Sequence, residues 1–343
     1  MLRFFALVLY LFFCALARAN DLEDAKDGTT LELPKDRPWE CPDTGLRLPL
    51  DMAKTKMESI YQWQDKQFGT GIRYLHTTDP IRAEIFVYPS KTRLETPAER
   101  VAAAQEELGK IWLRATKVEK TGRYKDLKRS SPVINEINLP PNGKTLLAHT
   151  ALTMDLQQRT GNSYKASMWY GVIPFKNSWV RIRITAPEGG GDELEEKSQA
   201  FVRAVILCVQ EPRMREVAQE GIAAYKQEPL TEVARKAGDF VMLYAKDHPH
   251  FSIVVPPAIT RVLTAAEAVM PEVRLDLQRA FFVGATETAL QWKSGLEANA
   301  AGAALMEQTL SLNQQRHPQL QSKEIQDLQE AAKAKQITQW LTK

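Results

Sequence analysis

The sequence predicts an α+β protein: an N-terminal, mainly antiparallel sheet with flanking helices, followed by an all-α C-terminal helical domain. Three observations carry that expectation. Between residues 41 and 212 the signals run strands, helix, strands, helix, without the alternating β-α units that build a parallel sheet. From Pro212 the composition shifts to Ala, Gln, Glu, Lys and Leu, and strand signals vanish. A length of 343 residues suggests two domains.

In chain order, Arg3 precedes an almost wholly apolar run from Phe4 to Leu16, then Ala17-Arg18-Ala19 and the polar Asn20-Asp21. A basic start, an apolar stretch and an A-x-A site describe a secretory signal peptide over residues 1–19, cleaved after Ala19. The run is shorter than the ~20 residues that span a bilayer. Cys14 follows Phe13, where a lipid-attachment signal needs a small residue. The expected location is therefore the periplasm in a Gram-negative cell, and otherwise outside the cell. Residues 20–40 are charged and Pro-containing, and read as a flexible leader.

Residues 45–50, 59–64, 71–77 and 82–89 are short runs rich in β-branched and aromatic residues, and read as strands. Gly69 and Gly71 in "FGTGIR" mark a hairpin turn rather than a phosphate loop. Thr96, Pro97 and Glu99 fit an N-cap, a first helical residue and a capping box. Val101, Leu108, Ile111 and Trp112 give that helix one apolar face, ending near residue 117. The basic window "KVEKTGRYKDLKR" (117–129) reads as a solvated helix end and loop, since Glu119 and Asp126 dilute it. Residues 131–139, 145–156, 163–173 and 178–186 form a second group of strands. The glycines at 189–191 precede Asp192, a candidate cap, and four nearby glutamates and aspartates would repel a phosphate. The helix that follows is closed by Glu211-Pro212.

The opening "TGLRLPL", the pair of early strands in "GIRYLHTTDPIRAEIFVYP", the helix after them and the closing strand–helix pair ending at Cys208 resemble PsbP/Mog1-type domains. That resemblance covers residues 41–212. It implies an α/β/α sandwich around an antiparallel sheet, and an accessory or binding role. It transfers no catalytic residue.

Residues 213–343 are expected to hold helices at 213–227, 229–246, 257–270, 272–293, 297–315 and 322–341, the last broken near Lys333. The 272–293 helix carries Leu277, Phe281, Phe282, Ala285, Ala289 and Trp292 over a broad face, as the centre of a bundle would. "VRLDLQRAFFVGATETALQWKSG", "AAGAALMEQTLSL" and the terminal "ITQWL" resemble a helical module of uncharacterised exported bacterial proteins, over residues 230–341. That similarity implies no activity. No fixed period repeats, and the tetratricopeptide spacing is absent.

The charge balance excludes one class of partner. The chain has 45 Lys+Arg and 42 Asp+Glu. Loss of Arg3 and Arg18 with the signal leaves near-neutrality with both signs interspersed, so no nucleic acid is expected. No transmembrane segment is expected after signal cleavage. Of three cysteines, Cys14 leaves with the signal. Cys41 and Cys208 are then the candidates for one disulfide joining the two ends of the first domain. A buried thiol on the helical stripe of Phe201 and Val205 is the alternative for Cys208.

Catalytic signatures are missing: there is no G-x-S-x-G, H-E-x-x-H, Walker A, S-x-x-K or C-x-x-C. No catalytic residue and no cofactor is therefore named. Trp169, Tyr170, Phe175 and Trp179 crowd two adjacent strands and form a candidate binding surface. Strand alternation sets Trp169 and Tyr170 on opposite faces. Asp247, His248 and His250 in "AKDHPHFSIVVPP" are the candidate metal corner. Pro249 disfavours both helix and strand there, so the segment reads as a helix stop with a solvent-facing corner, leading into a buried apolar connector. The functional expectation is an exported, non-enzymatic accessory or binding protein whose partner is another envelope protein. The alternative is an envelope hydrolase whose site has no local motif.

Overall fold

A computed structural model describes residues 28–92, 94–139, 143–157, 163–187, 191–246 and 248–342. The signal peptide, the residues 20–27 of the leader and Asp247 lie outside the described residues. The chain divides into two compact units, Met1–Val209 and Gln210–Lys343. The fold class is the one expected: an antiparallel sheet with flanking helices comes first, and helices alone follow.

The first unit holds strands β1 (Gly28–Leu31), β2 (Trp39–Glu40), β3 (Arg47–Leu48), β4 (Asp51–Met52), β5 (Thr55–Trp63), β6 (Thr70–His76) and β7 (Arg82–Pro89). Helix α1 (Pro97–Lys120) follows, then β8 (Tyr124–Arg129), β9 (Val133–Leu139), β10 (Gly143–Gln157), β11 (Ser163–Phe175) and β12 (Ser178–Pro187). The main sheet runs β1-β5-β6-β7-β12-β11-β10, and the long β10 pairs with β9 along its first half and β8 along its second. Every pairing is antiparallel.

Alternation along these strands sorts their side chains onto two faces. Ile60, Ile72, Ile85, Val180 and Ile182 meet Phe201, Val205 and Val209 of helix α2 (Gly191–Gln227) on one face. Ala148, Leu152, Met168, Tyr170 and Val172 meet Ala104, Leu108 and Ile111 of α1 on the other. The capping box of α1 forms as its sequence predicts. Thr96 accepts from the Glu99 N–H, while the Glu99 carboxylate accepts from the Thr96 N–H.

Three stretches differ from expectation. Residues 28–31, read as leader, add an edge strand to β5. Residues 124–129, read as loop, pair with β10 and bury Tyr124; the ladder hydrogen bonds outweigh the charged composition. Helix α2 does not close at Pro212 but runs through it. Proline removes one hydrogen bond there, a cost of about 3 kcal/mol in an unsupported helix. Apolar anchors on both sides offset it, with Val205 and Val209 before and Ala218 and Ile222 after.

The second unit contains α3 (Glu232–Lys246), α4 (Pro257–Val269), α5 (Pro271–Ala289), α6 (Gly295–Arg316), α7 (Lys323–Lys333) and α8 (Ile337–Leu341). Leu277, Phe281 and Ala285 of α5 are fully buried, as its broad apolar face predicts. Helix α5 ends earlier than the pattern suggested, and Trp292 lies beyond it at a φ of 59°. Helices α5 and α6 cross where Gly284 faces Gly302. A Cβ on Gly284 would lie 2.6 Å from the Ala301 carbonyl oxygen, and one on Gly302 would lie 2.6 Å from that of Phe281. Only residues without a Cβ let the two backbones approach so closely. No helix among the described residues is long and apolar enough to cross a membrane.

Candidate functional site

The four aromatic residues expected to form one surface are divided by the sheet. Tyr170 and Trp179 are buried on the α1 face, and Phe175 is buried on the α2 face. Trp169 also faces α2 but is only partly buried, because a groove of about 690 Å³ opens beside it. Its floor is formed by Leu147, His149 and Ala151 of β10 and Trp169 of β11, and its wall by Val202 and Ile206 of α2. That volume lies within the usual range for ligand pockets, about 300–1,000 Å³.

Register builds the centre of the groove. Gly171 is the direct cross-strand partner of His149, and Trp169 is the partner of Ala151. A Cβ at Gly171 would stand 2.4 Å from the Trp169 ring, so the bare glycine lets the indole lie across its own strand. The indole then stacks on the imidazole of His149, with centroids 5.5 Å apart and planes 24° from parallel. Burial disfavours the imidazolium and lowers the His149 pKa, so the ring is neutral at neutral pH. Ser198, Gln199 and Arg203 of α2 add polar atoms at the wall. Such a site receives an apolar group against two flat rings and supplies a few hydrogen-bonding atoms to orient it.

The histidine pair answers differently from its sequence. His248 is buried rather than solvent-facing. Its Nδ1 accepts the His250 backbone N–H at 3.1 Å, which places the ring proton on Nε2. That Nε2 lies 3.6 Å from Oε1 of the buried Glu211, while the ring stacks on Phe251 at 3.7 Å. The Tyr244 hydroxyl donates to the same Glu211 oxygen at 3.2 Å, and Arg215 Nε lies 3.6 Å away. Burial pushes the Glu211 carboxyl up, but the His248 hydrogen bond and the Arg215 charge outweigh it and hold the pKa below the usual range. His248 therefore ties the end of α3 to α2. Among the described residues no group of three or more His, Cys, Asp or Glu is placed to hold a metal ion. The connector 251–256 is less buried than expected, with Val254 70% exposed.

His76 has a comparable local role in the first unit. Its Nδ1 lies 3.0 Å from Asp79, whose carboxylate also takes Lys197 Nζ at 2.8 Å and so links the β6–β7 turn to α2. His317 ends α6 as its C-cap. The expected bond between Cys41 and Cys208 is absent from the structure. Both thiols are buried in one apolar cluster, where a thiol packs as a small hydrophobe.

The groove carried little sequence signal. His149 and Trp169 lie on different strands, and nothing local says that they stack. The one available clue was Gly171 inside a strand, which commonly marks close approach of another group. No protein-family model matches the chain, and no curated protein matches it.

Proposed function

We propose that the chain is an exported, non-enzymatic accessory protein that binds another envelope protein through the groove of its first unit. The bound element is an apolar segment of that partner, laid against Trp169 and His149. The observation that carries this reading is the groove itself. It offers a mainly apolar floor and wall with a neutral imidazole at the centre, which favours burial of apolar surface over proton transfer. Further support comes from the signal-peptide pattern of residues 1–19 and from the resemblance of residues 41–212 to PsbP/Mog1-type domains, which often act as accessory or binding modules.

Site-specific photo-cross-linking in the native host tests it. A photo-reactive residue replaces Thr153 or Gln199 in the groove, or Lys144 on the strand edge as control. The same discrete partner should be captured from both groove positions and not from the control, and Trp169→Ala should abolish capture. Equal capture at all three positions would refute the groove as the binding site. Hydrolysis of model esters or peptides that disappears in His149→Ala would replace the binding reading with the hydrolase.

A further inference from the structure

The opposite face of the same sheet carries a second feature, in two rows of cross-strand neighbours. In one row Arg73, Glu84 and Arg183 are direct partners across β6, β7 and β12. In the next row Gly71, Phe86 and Arg181 are partners in the same way. The Glu84 carboxylate is only 4% exposed and is surrounded by guanidinium groups. Arg183 Nε donates to it at 2.6 Å, and the Nε atoms of Arg73 and Arg82 each lie 3.5 Å from it. Glu58 adds a second, longer contact to Arg73 at 3.8 Å.

Arg181 stands apart from that network. Its guanidinium lies over Phe86, 4.3 Å from the ring centroid, and 5.5 Å from that of Tyr88. Among the described residues it makes no ion pair, and its buried Nε has no hydrogen-bond partner. The rows thus gather four arginines against two glutamates, in a chain whose charges otherwise nearly balance. Aromatic stacking holds the Arg181 guanidinium flat while its edge keeps its donors. Beside it a cavity of about 90 Å³ opens among Tyr61, Trp63, Arg73 and Phe86. At ~30 Å³ per water molecule, that space accepts a carboxylate group with little to spare.

We propose that this face is a second binding site, distinct from the groove, which takes the carboxylate side chains of an acidic segment of a protein partner. Arg181 and Arg73 supply the charge, Glu84 fixes the arginine geometry, and Tyr61, Trp63 and Phe86 cover the apolar part of the segment. A carboxylate fits better than a bulkier anion because the network is already built around one. Fork-shaped guanidinium donors match that planar group.

The test uses the full chain and an array of twelve-residue peptides in matched pairs, acidic residues in one member and their amides in the other. The acidic member should bind better at low salt, and the preference should shrink as salt rises past about 0.15 M. Arg181→Gln should weaken acidic binding about five- to tenfold. Arg181→Lys should fall between, and Lys144→Gln should behave as the unaltered chain. An unchanged circular dichroism spectrum and melting temperature identify variants that keep the fold. Equal binding of matched pairs, or acidic binding that survives Arg181→Gln, would overturn the proposal. So would binding of inorganic phosphate without any acidic peptide. Acidic binding that appears only after deletion of residues 20–27, with Asp21, Glu23, Asp24 and Asp27, would assign the face to the chain's own leader instead.

Discussion

The two units solve the packing problem in opposite ways. The helical unit brings backbones together until Gly284 and Gly302 touch the facing helix. The sheet unit keeps α2 far enough from β10 and β11 to leave about 690 Å³ between them. Helices of small residues can close on one another because the Cβ sets their spacing. A helix over a sheet stands on its longest side chains, and here Trp169 lies flat instead of filling the gap. The open space in the molecule is therefore a consequence of one glycine-supported indole, and the helical unit shows no comparable relaxation.

Substitutions can break this contrast, and the largest effect is expected at the helix crossing. Gly302→Val forces new atoms onto a backbone carbonyl and should cost about 3 kcal/mol or more, measured by urea unfolding. A loss below about 1 kcal/mol would mean that α5 and α6 slide apart easily, and the contrast would fail. Next comes the polar knot of the helical unit. Glu211→Ala strands the Tyr244 hydroxyl and His248 Nε2 in an apolar surrounding and should cost about 2 kcal/mol. Because the Glu211 pKa is depressed in the folded chain, its contribution is present above about pH 4.5 and lost as pH falls through the folded value.

Helix caps give an internal calibration. The boxes Thr96/Glu99 in the sheet unit and Ser294/Glu297 in the helical unit have the same geometry. Thr96→Ala and Ser294→Ala should each cost about 1 kcal/mol. A marked inequality would show that one unit tolerates fraying better than the other. The smallest stability effect is expected in the groove. Ala151→Leu adds apolar volume where space exists and should shift stability by under about 0.5 kcal/mol, while blocking partner capture.

His149 supplies a spectroscopic check. Its folded pKa lies below 6.5, so its contribution to stability is present above that value and lost as pH falls through the folded pKa. Protonation beneath the indole should quench Trp169 emission over that acid range. The change should vanish in His149→Gln.

How much of this was legible in sequence depended on the range of the interaction. Caps, the 3.6-residue face of α1, and the alternation of β11 and β12 are local, and each led to the right element. Residues 124–129 misled because their charges say loop, while their place beside β10 is decided by a partner over twenty residues away. Pro212 misled because its local penalty is real but is offset by tertiary anchors on both sides. The candidate sites were the least legible. His149 meets Trp169 only through the β10–β11 register, and Arg73, Glu84 and Arg183 come together from three strands. Conversely "DHPH" stood out because two histidines are close in sequence, yet His248 is spent on Glu211.

Strand parity places a constraint on how such a chain can vary in length. Odd-numbered residues of β11 line the groove, and even-numbered ones form the core beneath α1. Inserting one residue between Ser163 and Trp169 would send the indole into the core and Tyr170 into the cleft. Insertions and deletions are therefore confined to the turns at the strand ends, or to pairs of residues. Among descendants of this chain, the spacing from Trp169 to Gly171 should drift more slowly than the identity of any residue around it.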